Sequence, residues 1–194
     1  MAKVCIDPGH AGAPTDSGAV NSNTGLQEAD VVLSIAKKLE VYLNQVGIET
    51  LLTRTAANDP TSDDLGYRTN ISDEWGADLF VSIHCNSAGS AEAVGTEIWT
   101  SKGQTEGDVL ATCIMNQVTQ TFPELPLRAD WADGDVDKES NFYVLRYTDA
   151  PACLLETAFI SNDEEAALLA DDAWQDKMAA AIARGVTDYL AKNQ

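Results

Sequence analysis

Val4-Cys5-Ile6-Asp7-Pro8-Gly9-His10 opens the chain with an apolar run that does not alternate, followed at once by a turn and a histidine. A strand half exposed to water alternates apolar and polar side chains, whereas an unbroken run marks a strand covered on both faces, as in a parallel sheet. The pattern returns in Leu79-Phe80-Val81-Ser82-Ile83-His84 and, shorter, in Ala152-Cys153-Leu154-Leu155-Glu156. Each run ends on a side chain that can bind a metal or carry a proton. The chain has 2 histidines in all, and random placement would rarely put both at the ends of such runs.

Helical patterns lie between the runs. Val32, Ile35, Leu39, Leu43 and Val46 recur at helical spacing after Gly25-Leu26-Gln27-Glu28 and stop at Gly47. Ile48 to Thr53 reads as the next strand, Leu65 to Trp75 as a helix, and Val94 to Thr100 as a strand after a small-residue turn. Gln104 to Phe122 reads as a helix stopped near Pro123. Ser161-Asn162-Asp163-Glu164-Glu165 offers a capping box in either of two registers, and Trp174, Met178, Ile182, Val186, Tyr189 and Leu190 give the last helix a core-facing stripe. Alternating strands and helices over this length predict an α/β fold: one domain over residues 1–194, a twisted, mostly parallel sheet of about six strands, and helices on both faces.

With 31 acidic against 12 basic residues the net charge is −19. That argues against nucleic acid, whose affinity rests on phosphate neutralisation, and against anionic membranes. No apolar stretch approaches the length of a membrane span, and no basic-then-apolar leader is visible, which favours a phage-released protein or a trimmed fragment. Of the 4 cysteines, Cys5, Cys85 and Cys153 lie in or beside buried runs and none forms a C-x-x-C pair with Cys113 or another, so core thiols are expected. The acidic stretch Asp130 to Glu139 invites a calcium reading. Counted from Asp133, however, Lys138 stands where an EF-hand loop needs Gly, and Val144 where it needs Glu. A surface loop beside the site, offering Trp131 to substrate, is expected instead.

Ligands of an open α/β sheet bind outside the carboxyl ends of the strands. If the three runs are parallel neighbours, His10, His84 and Glu156 converge there, with Glu28 at the mouth of the first long helix. Two imidazoles and one carboxylate are a common protein ligand set for catalytic zinc, leaving a position for water. A second, unligated carboxylate must then move the proton, and Glu156 is the candidate. Spacing alone leaves other readings standing: satisfied structural histidines, a glutamate that merely complements a helix dipole, a phosphate-cradling loop at Pro8 to Gly12, or a Cys85 nucleophile.

The residues together resemble a family. Ile6 to Gly12, then Glu28, Arg68-Thr69, Ala77 to Asn86, Tyr143-Val144-Leu145-Arg146 and Leu155 to Asn162 are similar, in order and spacing over nearly the whole chain, to the type-3 zinc-dependent N-acetylmuramoyl-L-alanine amidases. The resemblance implies a peptidoglycan hydrolase that cuts the amide between the lactyl group of N-acetylmuramic acid and L-alanine. It implies one Zn2+ per chain held by His10, Glu28 and His84, and Glu156 as the catalytic glutamate. Action at the bacterial cell wall, outside the cytoplasm, goes with it, as does a separate wall-targeting domain or protein, because this charge would repel anionic wall polymers. Arg68 and Arg146 are expected to be structural ion-pair residues, and Asn86 to orient the loop after His84 or touch substrate. The stretch Thr100 to Asn141 is too short for the blocking helix of some relatives, so an open groove is expected. The rival functions are a zinc peptidase cutting within the stem peptide and a non-catalytic wall-binding module.

Overall fold

The computed structural model describes residues 1–132 and 134–192. A six-stranded sheet carries β1 (Lys3–Pro8), β2 (Glu49–Leu52), β3 (Leu79–Asn86), β4 (Glu97–Thr100), β5 (Lys138–Glu139) and β6 (Ala152–Phe159) in the spatial order β2-β1-β3-β6-β4-β5. The helices are α1 (Glu28–Gln45), α2 (Leu65–Trp75), α3 (Glu106–Thr121), α4 (Tyr143–Tyr147), α5 (Asp163–Ala170) and α6 (Asp172–Lys192). β1, β3 and β6 are parallel neighbours, as the three apolar runs require, and only the β4–β6 pairing is antiparallel.

Alternation along each strand sorts the two faces. Val4, Ile6, Val81, Ile83, Cys153 and Leu155 point into the larger core, with α1, α3 and α6 packed over it. Cys5, Phe80 and Leu154 point the other way, into a smaller core closed by Val144 and Leu145 of α4, against which α2 packs. His84 and Glu156 follow on this second face, two residues beyond Ser82 and Leu154. A Leu or Ile removed from either core costs about 2–5 kcal/mol, which is how such positions hold the sheet in one register.

Helix ends follow local chemistry. Asp64 caps α2 through Gly66 N–H, which closes at Gly76 (φ 72°), and Thr105 with Asp108 makes a capping box for α3. The box predicted for α5 is only half made. Asn162 caps Glu165 N–H, but the Glu165 carboxylate turns back to accept from Gly95 and Phe159 N–H, securing the end of β6. The loop expected over residues 130–139 ends instead in β5, and Asp133, from which a calcium loop was counted, lies outside the described residues. All 4 cysteines are free and buried. A shallow cleft lined by Ala2, Gly47, Ile48, Thr187, Leu190 and Ala191 joins the start of the chain to the end of α6. No described helix is long and apolar enough to cross a membrane.

Candidate metal centre and base

β1 delivers the chain to the turn Pro8-Gly9-His10, and two buried arginines fix that turn. Arg54 donates Nε to His10 O (2.7 Å) and Nη2 to Gly9 O (3.0 Å) and Ala29 O (2.7 Å). Arg68 donates to Pro8 O (2.9 Å), His10 O (2.6 Å) and the Asp7 carboxylate (2.6 Å). The carbonyls so gripped hold His10 at φ 61°, a left-handed conformation that a non-glycine residue adopts only under constraint. Arg68 is therefore the structural ion-pair residue expected. Arg146 differs: it is exposed, makes no ion pair among the described residues, and lies 5.3 Å from the Tyr147 ring.

Glu28, the first residue of α1, reaches back under the turn. Its Oε2 lies 3.0 Å from His10 Nε2 and its Oε1 2.9 Å from His84 Nδ1, and the three ligand atoms fall within 4.8 Å of one another. Backbone amides orient the carboxylate: Ala19 N–H donates to Oε2 and Cys85 N–H to Oε1, both at 2.9 Å. The second donor is released by a register shift between His84 and Asn86, which takes Cys85 off the ladder with β6. Asp16 holds the far nitrogen of His10 at 2.7 Å and is itself held by Gly18 N–H. This is the carboxylate–histidine pairing that fixes ring orientation at metal sites. Two glycines make the room. A Cβ at Gly9 would lie 2.3 Å from the His84 ring, and one at Gly18 would lie 2.5 Å from His10 and 2.7 Å from Glu28.

Glu156 sits beside His84 in register on the neighbouring strand. Its Oε2 is buried without a hydrogen-bond partner. Burial, opposed by the His84 ring and reinforced by the charges of Glu28 and Glu97, pushes this carboxyl up to about 7. Burial works to lower the His10 value, but the contacts with Glu28 and then Asp16 prevail and push it up to about 9. A cavity of about 330 Å³ opens over the group, lined by His10, Asp16, His84 and Glu156 and walled by Leu65, Phe142, Tyr143 and Leu154. Between Thr100 and Asn141 the only helix among the described residues is α3, so none covers this groove.

The structure brings the four expected residues together: His10, Glu28 and His84 form the only cluster of ligand geometry among the described residues, and Glu156 adjoins it. The strands run on past two of them, to Asn86 and Phe159, so those residues lie just inside the strand ends. Asn86 does orient its loop, accepting from Ser87 N–H and donating to Glu97. Trp131 is exposed but lines a different cavity, with Met115 and Val136. The rival readings weaken. Gly9 and Gly12 N–H are spent on Ile83 O and Asp16 O, which takes both glycine amides away from a phosphate, and burial pushes the Cys85 thiol well above its ordinary value. Asp16, Arg54 and Glu97 were missed. Asp16-Ser17-Gly18, a polar turn soon after His10, was the one available signal.

The chain is similar to known proteins over nearly its whole length. A family model described as N-acetylmuramoyl-L-alanine amidase matches residues 4–188. N-acetylmuramoyl-L-alanine amidase LytC of Bacillus subtilis (strain 168) is 37% identical over 186 residues, which are 96% of this chain and 35% of LytC. AmiA of Salmonella typhimurium is 30% identical, over 96% of this chain and 75% of that protein. The structure of amidase AmiC2 of Nostoc punctiforme superposes with a TM-score of 0.86 at 36% identity, covering 98% of this chain and 97% of that one. The chain thus spans about a third of one curated relative and three quarters of another.

Proposed function

The chain belongs to the N-acetylmuramoyl-L-alanine amidase family, and on that footing we propose that residues 1–194 form one zinc-dependent catalytic domain. Its reaction is hydrolysis of the amide between the lactyl carbonyl of N-acetylmuramic acid and the nitrogen of L-alanine in bacterial peptidoglycan. The observation that carries the proposal is the unpartnered, buried Oε2 of Glu156 beside the His10–Glu28–His84 cluster. An orphan carboxylate oxygen in that position is costly unless it has a partner during turnover.

The donor set fits zinc: two imidazoles and one carboxylate on one side, with the cavity opening on the other. Bound there, zinc supplies a water of lowered pKa and polarises the scissile carbonyl. His10, Glu28 and His84 hold the ion, while Asp16 and the amides of Ala19 and Cys85 hold the ligands. Glu156 accepts a proton from the attacking water and returns it to the departing alanine nitrogen. Burial raises this carboxyl above its ordinary value, the direction that lets one group serve first as base and then as acid.

The domain acts at the wall, outside the cytoplasm, and a net charge of −19, which repels anionic wall polymers, supports targeting by a separate domain or protein. Digestion of purified peptidoglycan is the test. New L-alanine amines with intact muramic acid are expected, whereas a new amine inside the stem would indicate the peptidase. Metal analysis should find about one zinc per chain, lost with activity on chelation. Glu156→Gln should keep the zinc and lose activity by a factor of about 10² or more; wall clearing equal to wild type would remove Glu156 from its role.

A further inference from the structure

The row that carries His84 and Glu156 continues across the sheet. β4 sets Glu97 directly opposite Glu156, so His84, Glu156 and Glu97 leave one face in line across three strands. Glu97 is 5% exposed and accepts four hydrogen bonds. Asn86 (2.8 Å) and Trp99 (3.2 Å) donate to Oε1, and Arg128 Nε (2.9 Å) and Lys138 Nζ (2.7 Å) to Oε2. Two cations thus converge on one carboxylate.

Both cations keep donors exposed to solvent, with the Arg128 guanidinium seated 5.0 Å over the Phe159 ring. Arg128 spends Nε on Glu97, while Nη1 makes only a 3.4 Å contact to Val94 O and Nη2 has no hydrogen-bond partner among the described residues. The side chains of Arg128 and Lys138 are 41% and 23% exposed. Lys138 stands 5.3 Å over the Trp99 ring, which fixes its position. In a chain of net charge −19, two cations converging on Glu97, the residue that faces Glu156 across the strands, are out of character with the overall charge. The other flank of Glu156 is different in kind. Leu65, Phe142 and Tyr143 wall it, and Asp16 and Asp63 make it negative; its one cation, Arg68, is consumed by Asp7 and backbone carbonyls.

We propose that Arg128 and Lys138, anchored by Glu97, form a subsite for the free carboxylate of the stem peptide's second residue, a D-glutamate or its amide in common walls. The uncharged muramyl portion then lies over the apolar flank beside α4, and the peptide over β4 and β5. This rests on the amidase reading above and adds an orientation and a preference to it.

Two muramyl peptides that differ only in a free α-carboxylate or an α-amide at the second residue provide the test. Wild type is expected to show a KM about five- to ten-fold lower for the acid, with similar kcat. Arg128→Gln and Lys138→Gln should each lower the acid-to-amide ratio of kcat/KM and together bring it to about one, over and above any loss common to both substrates from the unpaired Glu97; Arg128→Lys, which keeps the charge, should keep the preference. Cations that merely stabilise Glu97 would instead give equal losses on both substrates. Titration of Ala-D-Glu and Ala-D-isoglutamine against the zinc-loaded Glu156→Gln protein, read by the Trp99 indole signal in NMR, gives the same comparison without turnover. Equal KM and equal peptide affinity in wild type overturn the subsite while leaving the amidase intact. Failure to release L-alanine amines from whole peptidoglycan overturns the amidase itself.

Discussion

Replacing Arg54 by Met tests the claim that backbone carbonyls, gripped from below, hold His10 in place. Arg54 is 2% exposed and donates to the carbonyls of Gly9, His10, Ala29 and Ala56. On removal, His10 O keeps Arg68 and Ala29 O keeps its bond within α1, so Gly9 O and Ala56 O are left without a donor. The orphaned buried carbonyl of Gly9 costs about 1–3 kcal/mol, whereas Ala56 is exposed and its carbonyl turns to water. Lost packing adds to this and the removed desolvation cost of a buried guanidinium offsets it, which leaves the net at roughly 1–3 kcal/mol. For a domain of this size that is a fall in Tm of roughly 3–10 °C. The left-handed His10 then relaxes, and zinc affinity should fall about 10- to 100-fold, as when other supports of a metal ligand are removed. Differential scanning calorimetry in chelator isolates the first effect, and competition with a chromophoric chelator the second. A variant that melts within about 2 °C of wild type and holds zinc as tightly would refute the reasoning.

Three further outcomes are expected. Asp16→Asn should weaken zinc binding by about 10-fold or more, measured by the same competition, while leaving the fold's Tm nearly unchanged, since only the His10 ring loses its anchor. Gly18→Ala should cost both stability and metal, because its φ of 64° disfavours a side chain and the new Cβ would lie 2.5 Å from His10; a crystal structure of the variant with an undisturbed His10 would contradict this. For Asp7, burial alone would raise the pKa, but Arg68, Ser82 and Thr53 prevail and hold it below its ordinary value. A depressed carboxyl stabilises the fold above the unfolded value of about 4 and loses that contribution as pH falls through the folded value. Urea unfolding of wild type and Asp7→Asn should therefore differ most near neutrality and converge in acid; a gap independent of pH would argue against it.

Strand identity was legible because β1, β3 and β6 are buried on both faces and so carry unbroken apolar runs. Their ends could be read only to within two or three residues, since His84 and Glu156 are polar residues inside strands and look like termini. The four chemical residues were legible because histidine is scarce here. What holds them was not. Arg54 lies in β2's exit and binds carbonyls, which leave no trace in sequence, and Glu97 meets Glu156 only because β4 runs antiparallel, a choice of direction that periodicity does not encode. β5 was lost for a similar reason: a two-residue strand has no period.

The cleft that brings Ala2 beside Leu190 and Ala191 lies at the amino edge of the sheet, across the molecule from the groove. Ala2 and Ala191 therefore lie together, away from the groove. A module joined at either end can swing without sweeping the groove, and a short linker joining the two ends should permit a circular permutant opened in a distant surface turn.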